Sequence, residues 1–159
     1  MDTYATIMGL TFILLMGIPL IFVFRSNLLK KKKIAQIKKQ FSQNGHYNFD
    51  LTETQNKKII SIDQKNKGFL FIDFSYKEKE SIYFVNLKDI ILCNTVMKTE
   101  NKSGTVSKVE IELVYKNTMQ KEIIPIYNTE NFYIDHNCLY EDHKLAEKWT
   151  GIINDCLTE

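Results

Sequence analysis

The chain has 159 residues, 25% of them charged, with a formal net charge of +2, 44% hydrophobic residues and three cysteines. The charge is partitioned: residues 1–39 carry seven basic residues against one acidic, and residues 40–159 carry fourteen lysines against eighteen acidic residues. The larger part therefore lacks the basic face that nucleic-acid binding requires, and no nucleic-acid partner is expected.

Residues 4–24, opened by Tyr4 and closed by Phe24, contain no charged side chain. As a helix, these residues would extend roughly 31 Å, close to the hydrocarbon thickness of a bilayer. A cleaved signal peptide carries its positive charge before the apolar core. Here Arg25, Lys30, Lys31, Lys32 and Lys33 follow it. The pattern predicts a retained single-pass anchor over residues 1–27 that meets membrane lipids. The basic flank places the N-terminus outside a cytoplasmic (inner) membrane and the remaining chain inside. The lysine block serves topology on this reading, or else contacts anionic headgroups.

Residues 28–45 read as a basic juxtamembrane helix, with Ile34, Ile37 and Phe41 at helical spacing and Asn44-Gly45 as its stop signal. A domain then begins at residue 46 and runs to 159, long enough for one core. Its cysteines, Cys93, Cys138 and Cys156, have no motif spacing and are expected to be reduced.

Strand signals follow at residues 57–63, 69–76, 81–85, 90–98, 105–116 and 120–127, with a seventh around 132–134. In the third of these runs from the end, Val109, Ile111, Leu113 and Tyr115 fall on one face of residues 105–116. Lys108, Glu110, Glu112 and Lys116 fall on the other, which is expected to be solvated. Pro125 marks an edge or a bulge. The period then changes: Leu145, Trp149, Ile152 and Cys156 form the stripe of an amphipathic helix, with Asp142 as its N-cap and Glu147 early in it. The fold class is thus a transmembrane helix plus a mainly antiparallel-β domain of six or seven strands, capped by one C-terminal α-helix.

That order of short hairpins and a terminal helix with a central tryptophan, here Trp149, resembles the pleckstrin-homology-like (PH-like) domains of bacterial membrane-anchored proteins. The resemblance covers roughly residues 56–157 and implies a curled sheet or barrel. In lipid-binding members, basic residues in and beside the first hairpin hold the headgroup. The positions that match are Lys57, Lys58, Lys65 and Lys67, although this hairpin has no arginine.

Signals for chemistry are sparse. The loop with Asp135, His136, Cys138, Glu141, Asp142 and His143 is the densest group of potential ligands. His136, Cys138 and His143 are its metal candidates, yet the paired spacing of a structural zinc site is missing. Glycine-rich phosphate loops are absent too, so neither an enzyme nor a cofactor is expected. The reading that remains is a non-catalytic interaction or scaffold module, a subunit or adaptor of a membrane complex with a protein partner. Lys108, Glu110, Glu112 and the edge near Pro125 are its candidate contact surfaces. The alternative is an anionic-lipid sensor built on the basic block and the hairpin lysines.

Overall fold

The computed structural model describes residues 3–75, 80–100, 104–129 and 138–158. The chain divides into two compact units, Met1–Gln40 and Phe41–Glu159.

The first unit consists of helix α1, Thr3–Phe41, up to Gln40. The sequence treats the apolar run and the lysine block as separate elements, whereas the structure joins them in one helix of 39 residues. Among the described residues, no helix is long and apolar enough to cross a membrane. The expected span over residues 4–24 is therefore not supported. Its orientation and the single-pass membrane localisation, which presuppose the span, fall with it. Tyr4, Met8, Phe12, Ile13 and Leu15 are exposed on this helix.

The second unit holds two antiparallel sheets. Strands β1 (Leu51–Gln55), β2 (Lys58–Asp63), β3 (Gly68–Asp73) and β4 (Ser81–Asn86) form the first, in that order. Strands β5 (Ile90–Thr99), β6 (Val106–Tyr115) and β7 (Lys121–Asn128) form the second. A 3₁₀ turn at Leu87–Asp89 joins them, and helix α2, Leu139–Thr158, packs on β5, β6 and β7. The region expected to hold a seventh sequence-predicted strand, 132–134, lies outside the described residues.

Six of the seven strands among the described residues coincide with the sequence signals, and β1 is an addition. Its Thr52, Glu53 and Thr54 offer no apolar alternation to read, because β1 is an edge strand with largely exposed residues. Strand β3 shows no in/out pattern. Phe69 and Phe71 face the main core, while Leu70 and Ile72 on the reverse face are equally buried. On that reverse face Phe84 stands opposite Leu70 and lies in ring contact with Phe41, Tyr47 and Phe49. The Tyr47 ring passes so close to Gly68 that any Cβ there would collide with it.

The main core lies between the sheets and α2. Ile60, Ile62, Phe69 and Phe71 come from the first sheet, and Val109, Ile111 and Leu113 from the second. Leu145, Ala146, Trp149, Ile153 and Cys156 complete it from the helix. Burying each large apolar side chain contributes about 1.5–3 kcal/mol, so the stripe on α2 is what holds the helix on the sheets. The helix starts earlier than expected. Asp142 is a buried first-turn residue rather than the N-cap, and Glu147 lies further along, 3.5 Å from His143.

Candidate functional site

Helix α2 runs along the free edge of β5, and the contact differs between its two ends. Near the C-terminal end, the Asn154 carboxamide accepts from the Cys93 amide at 3.2 Å and donates to the Cys93 carbonyl at 2.9 Å. Cys93 therefore points both backbone groups away from β6. In an antiparallel pair such groups recur at every second residue, and the register from Leu92 to Lys98 is unbroken. Thr95 and Met97 thus also present their amides and carbonyls outward. At Thr95 the side chain meets the helix, through Thr150 Oγ1 at 2.8 Å. At Met97 no partner for the outward backbone groups exists among the described residues.

Beside Met97 opens an apolar cavity of about 200 Å³, lined by Met97, Val106, Leu139, Tyr140 and His143. Its walls are the end of the β5–β6 hairpin and the first turn of α2. On the rim the Lys144 ammonium sits 4.5 Å above the centre of the Tyr140 ring. Met97 and Tyr140 are more than half exposed, so apolar surface lies next to a strand edge whose outward groups at Met97 have no partner among the described residues.

The first turn of α2 is fixed from the opposite side by a buried polar junction. Lys58 Nζ lies 2.7 Å from Asp142 Oδ2, and the two residues are 1% and 0% exposed. Asn56, in the β1–β2 turn, donates through Nδ2 to Asp142 Oδ1 and to Glu141 Oε2, both at 3.2 Å. Asp73 stands opposite Lys58 on the neighbouring strand, 3% exposed, and accepts the Ser75 amide at 2.7 Å. Burial pushes the Asp142 carboxyl up, against the opposing pull of Lys58 and Asn56 and with a smaller push from Asp73. Tyr127 is pushed up in turn, by burial first and then by the charge on Asp142.

The hairpin lysines do not converge. Lys58 is withdrawn into the core by Asp142. Lys57 is exposed in the β1–β2 turn, while Lys65 and Lys67 lie in the β2–β3 turn. The six residues of β2 separate the two turns, a distance of about 20 Å at strand rise. Arg25, Lys30, Lys31, Lys32 and Lys33 belong to the other unit, exposed on α1.

Of the loop ligands, His136 and Asp135 lie outside the described residues. Cys138 is half-buried and His143 lines the cavity, and among the described residues no cluster of three such side chains is placed to hold a metal. No disulfide joins Cys93, Cys138 and Cys156. Burial pushes the Cys93 thiol up to about 11 despite a hydrogen bond with Thr150, which disfavours the thiolate form.

The face of β6 expected to be solvated carries ion pairs whose lysines, Lys98 and Lys121, stay more than half exposed. Glu110, 8% exposed, meets Lys98 at 2.7 Å, and Glu112 meets Lys121 at 2.7 Å. The edge at Pro125 is paired with β6 through a register shift between Val109 and Glu110. The sequence reading passes over the β5–α2 groove because Met97, Leu139 and Tyr140 carry no motif. The one signal was Met97, an apolar residue near a strand end with no periodic partner.

Compared with known proteins, the chain matches no family model, no curated protein and no solved structure.

Proposed function

We propose that the chain is a non-catalytic interaction module. On this reading its Phe41–Glu159 unit has a PH-like layout and takes an extended segment of a partner protein along the open end of β5. Two antiparallel sheets of four and three strands followed by one helix support that layout. The observation that carries the binding mode is the outward backbone of Met97, which has no partner among the described residues and lies beside the apolar cavity. An incoming strand would satisfy that amide and carbonyl and place an apolar side chain in the cavity, which is the logic of strand addition. The volume narrows the ligand class. About 200 Å³ is below the ~300–1,000 Å³ of typical small-molecule sites and suits one large side chain.

The test is a titration of the isotope-labelled full chain with a capped peptide in which leucine and phenylalanine alternate with threonine. Amide shifts confined to residues 95–99 and 139–143 are expected. Met97→Pro removes the outward N–H without costing a β6 bond, and it should abolish those shifts. Shifts absent at millimolar peptide, or unchanged in Met97→Pro, would overturn the reading.

A further inference from the structure

The Lys58–Asp142 pair is an odd way to stabilise a small core. Two charges that are 1% and 0% exposed have lost their hydration. Replacing such a pair by apolar side chains of similar volume is often neutral or stabilising. Hydrophobic burial already holds the body of α2 through Ala146, Trp149 and Ile153, each fully buried. The junction acts further toward the N-terminus, on the turn of α2 that supplies Leu139, Tyr140 and His143 to the cavity. That turn has less apolar anchorage: Leu139 and His143 are half-buried and Tyr140 is 66% exposed.

The other half of the junction is a turn held in costly geometry. Asn56 and Lys57 both have positive φ, 47° and 66°, which asparagine adopts more readily than lysine. Such a conformation persists where its surroundings over-determine it. Here the surroundings are the hydrogen bonds from Asn56 to Glu141 and Asp142. The β1–β2 turn and the groove wall are therefore tied through two adjacent acidic residues on the helix.

We propose that Lys58, Asn56 and Asp142 are positioning residues. Their junction holds the first turn of α2 in the orientation that forms the cavity beside Met97, and it limits affinity for the occupant of the groove more than it limits stability. The inference rests on the strand-addition reading for its ligand, but the order of the α2 first turn can be measured without one. Pre-organising a wall in advance spares the entropy of ordering it on binding, which is how a distant pair acts on affinity.

The experiment replaces the pair in the full chain by Lys58→Met with Asp142→Leu. The melting temperature is expected to hold or rise, while hydrogen exchange at amides 139–143 speeds up about tenfold relative to 145–156. Affinity for the same capped peptide is expected to fall about fivefold, as a pre-organisation loss. Asn56→Ala, which keeps the ion pair, should lower the melting temperature slightly but raise exchange at 139–143 selectively, more weakly than the double variant, and it serves if the double variant does not fold. Unchanged exchange at 139–143, or exchange that rises uniformly with a lowered melting temperature, would overturn the inference. If the wild-type chain shows no peptide binding, the strand-addition reading fails, and the exchange ratio still decides the positioning role.

Discussion

Asn154 closes the edge of β5 at Cys93 with a side chain that does the work of a strand. Its carboxamide offers one acceptor and one donor, and both are used, at 3.2 and 2.9 Å. An unpaired strand edge is a template for association with another chain, and natural sheets cover such edges. Asn154→Leu keeps the volume but leaves both Cys93 groups without partners next to a buried side chain. It should cost about 1–3 kcal/mol per orphaned group that stays buried. Chemical denaturation measures that loss, and light scattering at raised concentration should show new association. A variant as stable and as monodisperse as the wild type would remove Asn154 from this role.

Trp149 gives a second test, because it is the single tryptophan of the chain and is fully buried. Its indole Nε1 donates to Glu53 Oε2 at 2.7 Å, and Lys148 Nζ lies 2.9 Å from the same carboxylate. Glu53→Ala orphans a buried donor, so a loss of about 1–3 kcal/mol is expected. The Lys148 pair contributes little to that figure, because Lys148 is mostly exposed. Glu53→Gln keeps an acceptor and should recover most of the loss. Tryptophan fluorescence reports both the unfolding curve and any change around the indole.

These two contacts also mark what the sequence makes legible. Leu145, Trp149, Ile152 and Cys156 announce an amphipathic helix by spacing alone, and the alternation from Val109 to Tyr115 announces β6. Such signals are periodic because burial is periodic along a regular element. Glu53 is not legible, because nothing in Leu-Thr-Glu-Thr-Gln distinguishes an edge strand from a loop. Nor is the Lys58–Asp142 pair, since its partners stand 84 positions apart and only the fold brings them together. The same reasoning explains the anchor. Residues 4–24 have the composition of a span, but α1 runs on into the lysine block, and composition alone does not mark the bounds of a helix.

Acid should weaken the β2–β3 turn through Asp63. This carboxylate accepts the Asn48 amide at 2.6 Å, the Asn66 amide at 2.9 Å and the Asn66 side chain at 2.7 Å. Burial pushes its carboxyl up, but these hydrogen bonds together outweigh burial and leave it below its ordinary value of 3.8. A carboxyl ionised more readily in the fold than in the unfolded chain stabilises the fold above that value. The stabilisation is lost as pH falls through the folded value. The stability difference between wild type and Asp63→Asn should therefore be constant from pH 7 to 5. It should shrink below about pH 4, where the wild-type carboxyl takes up its proton. Urea denaturation at pH 7, 5 and 3 measures this, and a difference that grows toward acid would refute it.

The β1–β2 turn offers a stabilising substitution. A two-residue hairpin loop that matches strand twist needs positive φ at both central positions, and Asn-Gly is the pair that suits it best. The chain has Asn56-Lys57, with φ of 47° and 66°. Lys57 is exposed, and its side chain makes none of the junction contacts, which belong to Asn56 and Lys58. Lys57→Gly relieves a strained backbone, although it also loosens the unfolded chain. A net gain of about 0.5–1 kcal/mol is expected from the relieved strain. Asn56→Gly in the same turn relieves less strain and removes both bonds to α2, so it should destabilise. Opposite signs at adjacent positions, read from thermal or urea unfolding, separate backbone strain from the side-chain junction. Equal signs would mean that the turn acts only through its backbone.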